Sequence, residues 1–280
     1  MELLHATPLD GAPRALAAFR GRVLVGVGAS LRLYEFGKKR LLRKCEHRRL
    51  PHAVARVCAQ GSRVYVADAH DSFTFLKYKR ADNAFYAFAD DAVPRHLVAA
   101  LALDYDTVAG ADRFGSISVL RLPGELSAAV EEDPTAGKFA DQAGLLGGAP
   151  NKLETLASFH VGEMVTALAK GALQAGGREL LLYATLLGGL GALLPFLSRE
   201  DADFFQLLEM HMRQHAPSLV GRDHLAFRSA FYPVRCVVDG DLCEQFAALA
   251  DDVQRQIAQE LDRSPGEILK KLEDLRNKIV

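Results

Sequence analysis

His211 and His215 stand one helical turn apart with Glu209 close by, a spacing at which two imidazoles could hold a divalent metal. No third ligand is evident, so the pair reads instead as a helix end, where a cation meets the negative end of the helix dipole, or as half-buried histidines. Asp68, His70 and Asp71 form a second polar group. They fall between two apolar runs, where short polar side chains cap the backbone of a turn, and the catalytic reading is weak there too. Gly189-Leu-Gly191 follows an apolar run as a dinucleotide loop would, but the third glycine is missing and Pro195 would interrupt the required helix. A turn needing positive φ explains these glycines better. The chain carries no GxSxG, GxxxxGK[ST] or HExxH word. These patterns point to no catalytic residue, no cofactor, no metal and no small-molecule substrate.

The densest charge cluster is Lys38, Lys39, Arg40, Arg43 and Lys44, continuing through His47-Arg-Arg49. Such a run could bind RNA phosphates or serve as a nuclear-import signal. The plainer reading is a solvated outer strand whose cations discourage edge pairing. No aromatic residues are interleaved for base stacking, so any RNA contact is expected to be indirect or weak.

The elements that must position these residues announce themselves by repetition. Arg22-Val-Leu-Val-Gly-Val-Gly-Ala-Ser-Leu-Arg-Leu-Tyr34 aligns with Arg63-Val-Tyr-Val-Ala-Asp-Ala-His-Asp-Ser-Phe-Thr-Phe-Leu76 and with Thr107-Val-Ala-Gly-Ala-Asp-Arg-Phe-Gly-Ser-Ile-Ser-Val119. From Leu31 to Phe73 to Ile117 the steps are 42 and 44 residues, which is blade spacing for a β-propeller. A fourth copy spans Leu180 to Pro195. The hairpins at 22–36, 63–78, 107–122 and 180–196 are therefore expected to stack as successive blade sheets. Leu180 to Ser198 carries no charge and approaches membrane-spanning length, but Gly188, Gly189, Gly191 and Pro195 favour strand, turn and strand. Between 123 and 153 the pattern dissolves into an expected inserted loop.

After Ser198 the period changes from two to about three and a half. Ser198-Arg-Glu-Asp201 opens a helix with Phe204, Leu207, Leu208 and His211 or Met212 on its apolar face, stopped by Ala216-Pro217. Asp241 is read as the cap of a second, with Leu242, Phe246, Leu249, Val253, Ile257 and Leu261 on one stripe. Ser264-Pro-Gly-Glu267 is a capping box for a third, burying Ile268, Leu272, Leu275 and Ile279. The expected fold is mainly β: about four terminal, WD40-like blades of a partial β-propeller over 1–198, then a small α-helical domain over 199–280.

The 280 residues are 49% hydrophobic and 25% charged, with net charge −1, which excludes a disordered tail and a surface wholly devoted to nucleic acid or membrane. Cys45, Cys58, Cys236 and Cys243 show no CxxC spacing, and Cys236 and Cys243, which could pair in principle, lie in segments that read as buried and are expected to be reduced core thiols. The start lacks the order of a signal peptide, so an intracellular compartment is expected.

Gly221-Arg-Asp-His-Leu-Ala-Phe-Arg-Ser229, Asp239-Gly-Asp-Leu-Cys-Glu-Gln-Phe246, Glu260-Leu-Asp-Arg263 and Lys271-Leu-Glu-Asp-Leu-Arg276 closely resemble the carboxy-terminal end of the splicing factor 3b subunit 3 family. So do Gly37 to Glu46, Leu103 to Asp112 and Phe204 to Arg213. The superfamily also holds the large subunits of the damaged-DNA-binding complex and of the cleavage and polyadenylation specificity factor. Phe227-Arg-Ser229 and Asp239-Gly-Asp-Leu242 resemble its shared words, while Gly221 to Leu225 resembles the splicing member's own. The resemblance implies a three-propeller scaffold with a helical end, of which two propellers and part of the third have no counterpart here. It also implies a nuclear, non-enzymatic role in the U two small nuclear ribonucleoprotein, through contacts with the helical-repeat large subunit and the small subunits of the same factor. The alternative is a superfamily adaptor serving a ubiquitin ligase, DNA-damage sensing or mRNA cleavage and polyadenylation. Within the carboxy-terminal words, Arg222, Asp223, His224, Phe227, Arg228, Asp239 and Asp241 are the candidate interface, with Arg222 or Arg228 expected to anchor a partner or tie the helices to the propeller.

Overall fold

A computed structural model describes residues 6–135, 148–218 and 220–279. Sixteen strands among these residues form four small sheets arranged as the blades of a propeller. Blade one runs β1 (Pro13–Phe19), β2 (Arg22–Val27), β3 (Ser30–Phe36) and β4 (Leu41–His47) in order. Blade two runs β5 (Val54–Gln60), β6 (Arg63–Asp68), β7 (Phe73–Lys79) and β8 (Ala84–Asp90). Blade three takes β9 (Leu97–Ala102), β10 (Thr107–Asp112) and β11 (Ser116–Arg121). The short β12 (Asn151–Lys152) joins blade two in parallel with β8, and β13 (Glu154–His160) completes blade three beside β11. Blade four has β14 (Val165–Gly171), β15 (Leu180–Thr185) and β16 (Leu190–Leu193).

The four repeated hairpins are thus β2–β3, β6–β7, β10–β11 and β15–β16, the middle of the sheet in blades one to three and the last two strands in blade four. Their side chains alternate between the two faces of a strand, and each face meets a different neighbour. In blade two, Val64, Val66, Leu76 and Tyr78 pack with Leu24, Leu31 and Leu33 of blade one. Tyr65, Ala67, Phe73 and Phe75 pack with Leu97, Val108 and Leu120 of blade three. Burial on both faces explains why β6 and β7 read as continuous apolar runs. Ala109, Ala111 and Ile117 of blade three meet Val165 and Leu181 of blade four. The first strands β1, β5, β9 and β14 lie against one another in chain order. The uncharged 180–198 segment is indeed strand, turn and strand, and no described helix is long and apolar enough to cross a membrane.

The expected loop at 123–153 is corrected over its first third, where α1 (Gly124–Glu132) forms after Pro123. Nine residues are too few for a helix to hold by itself. Leu126 and Val130, one turn apart, pack onto the core between blades two and three, and that contact fixes it. The fully buried Arg63 pins its polar side. It donates to Ser127 Oγ (2.9 Å), Glu131 Oε1 (3.0 Å) and Asp106 Oδ1 (2.5 Å), with its guanidinium 4.0 Å from the Tyr105 ring centroid. Residues 136–147 of that stretch lie outside the described residues.

The helical end contains α2 (Arg199–His215), α3 (His224–Arg228), α4 (Gly240–Glu244), a 3-10 turn (Gln245–Ala248), α5 (Asp251–Glu260) and α6 (Pro265–Arg276). Ser198 caps α2, and Ser264 with Glu267 forms the expected capping box on α6. Three expectations are corrected. Leu207 lies on the exposed side of α2, whose buried face is Phe204, Phe205, Leu208 and Met212. Asp239, not Asp241, caps α4 by accepting from the Leu242 amide at 3.2 Å, and Asp241 is exposed within the first turn. The stripe from Leu242 to Leu261 is carried on two helices joined by the 3-10 turn and extended Leu249–Ala250. The bend lets Leu242, Phe246 and Ile257 share one core with α2 and α6. Cys243 is buried, Cys45 and Cys58 are half-buried, and Cys236 is exposed, against the expectation of a core position.

Candidate protein interface

The segment between α2 and α4 owes its shape to its charged residues. Asp223 Oδ2 accepts from the Ala226 amide (3.1 Å), which starts α3, and His224 Nε2 lies 3.0 Å from the Ala216 carbonyl at the end of α2. One turn of helix then aims Phe227 and Arg228 at the end of β13. Phe227 stands edge-on to His160, with ring centroids 5.3 Å apart. Gly162, at φ +101°, leaves room for that ring, since a Cβ there would sit 2.7 Å from Phe227 Cζ.

Arg228 is the hub. Its Nε donates to Asp239 Oδ2 at 2.7 Å and its Nη1 to the carbonyls of His160 (3.0 Å) and Val161 (3.2 Å). The guanidinium carbon lies 4.5 Å from the Phe159 ring centroid. A planar cation with five donors suits such a junction, where two carbonyls and a carboxylate converge on a ring face. Asp239, 4% exposed, therefore both holds Arg228 and caps α4. Burial, followed by the nearby Arg228 charge, holds the His160 imidazole below its ordinary range. The clasp continues along blade three. Phe231 stacks on Phe114 at 5.0 Å, Tyr232 donates to the Pro94 carbonyl (2.8 Å) beneath Arg95, and Arg235 pairs through its backbone with Ser158 of β13.

Of the candidate interface residues, Phe227, Arg228 and Asp239 thus tie helix to propeller, while Asp223 is exposed and caps α3 and His224 reaches back to the end of α2. Arg222 and Asp241 are exposed, and among the described residues Arg222 makes no ion pair. The residues missed were aromatic. Nothing in the sequence singles out Phe231 and Tyr232, because their partners Phe114 and Pro94 lie more than 100 positions away in the chain.

The basic run occupies the tip and edge of blade one. Lys38, Lys39 and Arg40 form the exposed β3–β4 turn, whereas on β4 Lys44 pairs with Glu35 (2.7 Å) and Arg43 with Glu46 (3.4 Å). Among the described residues, the histidines of α2 are not gathered with a third metal-type ligand. His211 Nδ1 is 3.0 Å from Glu260 and Glu209 is engaged by Arg213 at 3.0 Å. Gly189 and Gly191 belong to the β15–β16 hairpin, where the Gly189 amide donates to Thr185 Oγ1 (2.9 Å).

The CPSF A subunit region family matches residues 1–248 of the chain. Over all 280 residues the chain is 55% identical to spliceosome-associated protein 130 A of Arabidopsis thaliana, spanning 100% of this chain and 23% of that protein. It is 51% identical over 278 residues to splicing factor 3B subunit 3 of Drosophila melanogaster, with 99% and 23% spanned. It is 52% identical over 276 residues to pre-mRNA-splicing factor RSE1 of Mycosarcoma maydis, again with 99% and 23% spanned. The chain thus spans roughly a quarter of the length of these relatives.

Proposed function

The chain belongs to the CPSF A subunit region family, and from that premise we propose that it serves pre-mRNA splicing as part of a non-enzymatic scaffold subunit of the splicing factor 3b complex. In this reading it acts in the nucleus, in the U two small nuclear ribonucleoprotein, and supports branch-site recognition through protein–protein contacts. The observation that carries the proposal is identity of 51–55% along essentially the whole chain to proteins named for splicing or the spliceosome. Similarity at that level extends to surface positions, which packing alone does not constrain. Its partners are the helical-repeat large subunit and small subunits of the same complex. Arg222 and the exposed turn Lys38, Lys39 and Arg40 are the charged groups offered outward to them. RNA is contacted weakly or through partners, since that turn lacks a stacking platform. No cofactor is required.

Affinity capture of the tagged 280-residue chain from nuclear extract tests this reading. Splicing factor 3b subunits should co-purify in stoichiometric amounts. Recovery of cullin components in their place would assign the chain to the adaptor class.

A further inference from the structure

His52, His70 and Asp71 converge on the face of blade two, although His52 precedes β5 and the other two occupy the β6–β7 turn. Their ligand-type atoms all lie within 4.8 Å of one another. His52 Nδ1 is 3.1 Å from Asp71 Oδ2, and His70 Nδ1 is 3.6 Å from Asp71 Oδ1. Tetrahedral zinc, with bonds of about 2.0–2.2 Å to nitrogen and oxygen, sets neighbouring ligand atoms roughly 3.3 Å apart. Each imidazole thus has one Asp71 oxygen close to that spacing. The two imidazole rings lie 4.4 Å apart, centroid to centroid, and their side chains are 53% and 55% exposed, so small rotations close the remaining gap and an ion can enter.

The backbone beneath is held firmly. Asp68, 2% exposed, accepts from the amides of His52 (3.0 Å), His70 (2.8 Å) and Asp71 (3.0 Å), which locks all three residues around one carboxylate. The His70 carbonyl accepts from the His96 amide (3.1 Å) and the Asp71 carbonyl from Arg95 (3.3 Å). The His96 ring packs against His70 at 4.5 Å and against Phe114 at 5.3 Å, limiting how far His70 can swing. Contacts of this kind fix where the backbone presents the three side chains, as supporting groups around a metal site do.

The geometry points to a divalent transition-metal site of zinc type, with His52, His70 and Asp71 as ligands and one coordination position left to water. Two imidazoles and a carboxylate suit zinc, nickel or copper and do not suit magnesium. The bound ion would clamp the link between blades one and two onto the β6–β7 turn.

Isothermal titration of the purified 280-residue chain with zinc chloride, in a Cys236→Ser background that removes the exposed thiol, tests the assignment. One zinc per chain should bind, magnesium chloride should not, and zinc should raise the melting temperature reversibly with a chelator. Losing a supporting group typically weakens a metal site by about 10- to 100-fold. His52→Ala, His70→Ala and Asp71→Ala should therefore each weaken binding by at least about 100-fold while leaving the zinc-free melting temperature unchanged. His211→Ala should leave binding intact. No zinc binding, or binding that survives His52→Ala and His70→Ala together, overturns the assignment. So does equal weakening by His211→Ala.

Discussion

Arg228 shows how a residue's identity can matter more than its charge. Its ion pair with Asp239 is largely out of water, and removing one partner of such a pair leaves the other buried and uncompensated. Arg228→Ala should cost about 3 kcal/mol, the lower end of that range, because 17% of the Arg228 side chain still meets solvent. Arg222→Ala, at an exposed position, should stay within about 0.5 kcal/mol. Urea unfolding of both variants checks the contrast, and equal losses would remove Arg228 from its place as the hub. His160, held below 6.5 by burial and Arg228, makes stability depend on pH. As pH falls through 6.5 the unfolded chain takes up this proton before the folded chain does, so the unfolded state binds more protons and stability declines. The stability is fully present above 6.5, and the decline runs from there down to the lowered folded value. His160→Gln should flatten that part of the stability–pH curve.

At the scale of elements, the blades approach one another through glycine. A Cβ on Gly110 of β10 would lie 2.7 Å from the Phe73 ring and 2.8 Å from Leu97 Cδ2. One on Gly26 of β2 would lie 2.4 Å from Val54 Cγ1. Neither glycine is there for backbone freedom. Both clear space for a side chain of the neighbouring blade or strand. Gly110→Ala should therefore cost about 1–3 kcal/mol by overpacking, read as a lower urea midpoint with an unchanged slope. The same reasoning explains α1, whose nine residues gain their helix from Arg63 and the apolar surface beneath them and gain little from propensity.

At the scale of the whole molecule, the blades stack in chain order and blade four ends in a short strand, β16, beside exposed Leu187 (81%) and Leu190 (85%). Apolar side chains at the edge of a three-stranded sheet invite pairing with another chain. The purified chain should therefore self-associate with rising concentration. Leu187→Lys with Leu190→Lys should reduce this without loss of secondary structure, as followed by size-exclusion chromatography and circular dichroism. An unaltered elution profile would place the sticky surface elsewhere.

Much of this protein was determined locally and could be read from its residues alone. The 42- and 44-residue steps, the hairpins, the capping box at Ser264 and the cap at Ser198 depend on neighbours a few positions apart, so sequence carries them. Tertiary structure decided whatever depends on residues distant in the chain. Asp239 displaced Asp241 as the cap because it also meets Arg228, and α1 exists because Arg63 and the blade core lie beneath it. Arg228 turned inward because the end of β13 offered Phe159 and the carbonyls of His160 and Val161 some 70 residues back. His52 met His70 for the same reason: a spacing pattern records what a segment can form, while the fold chooses what that segment will touch.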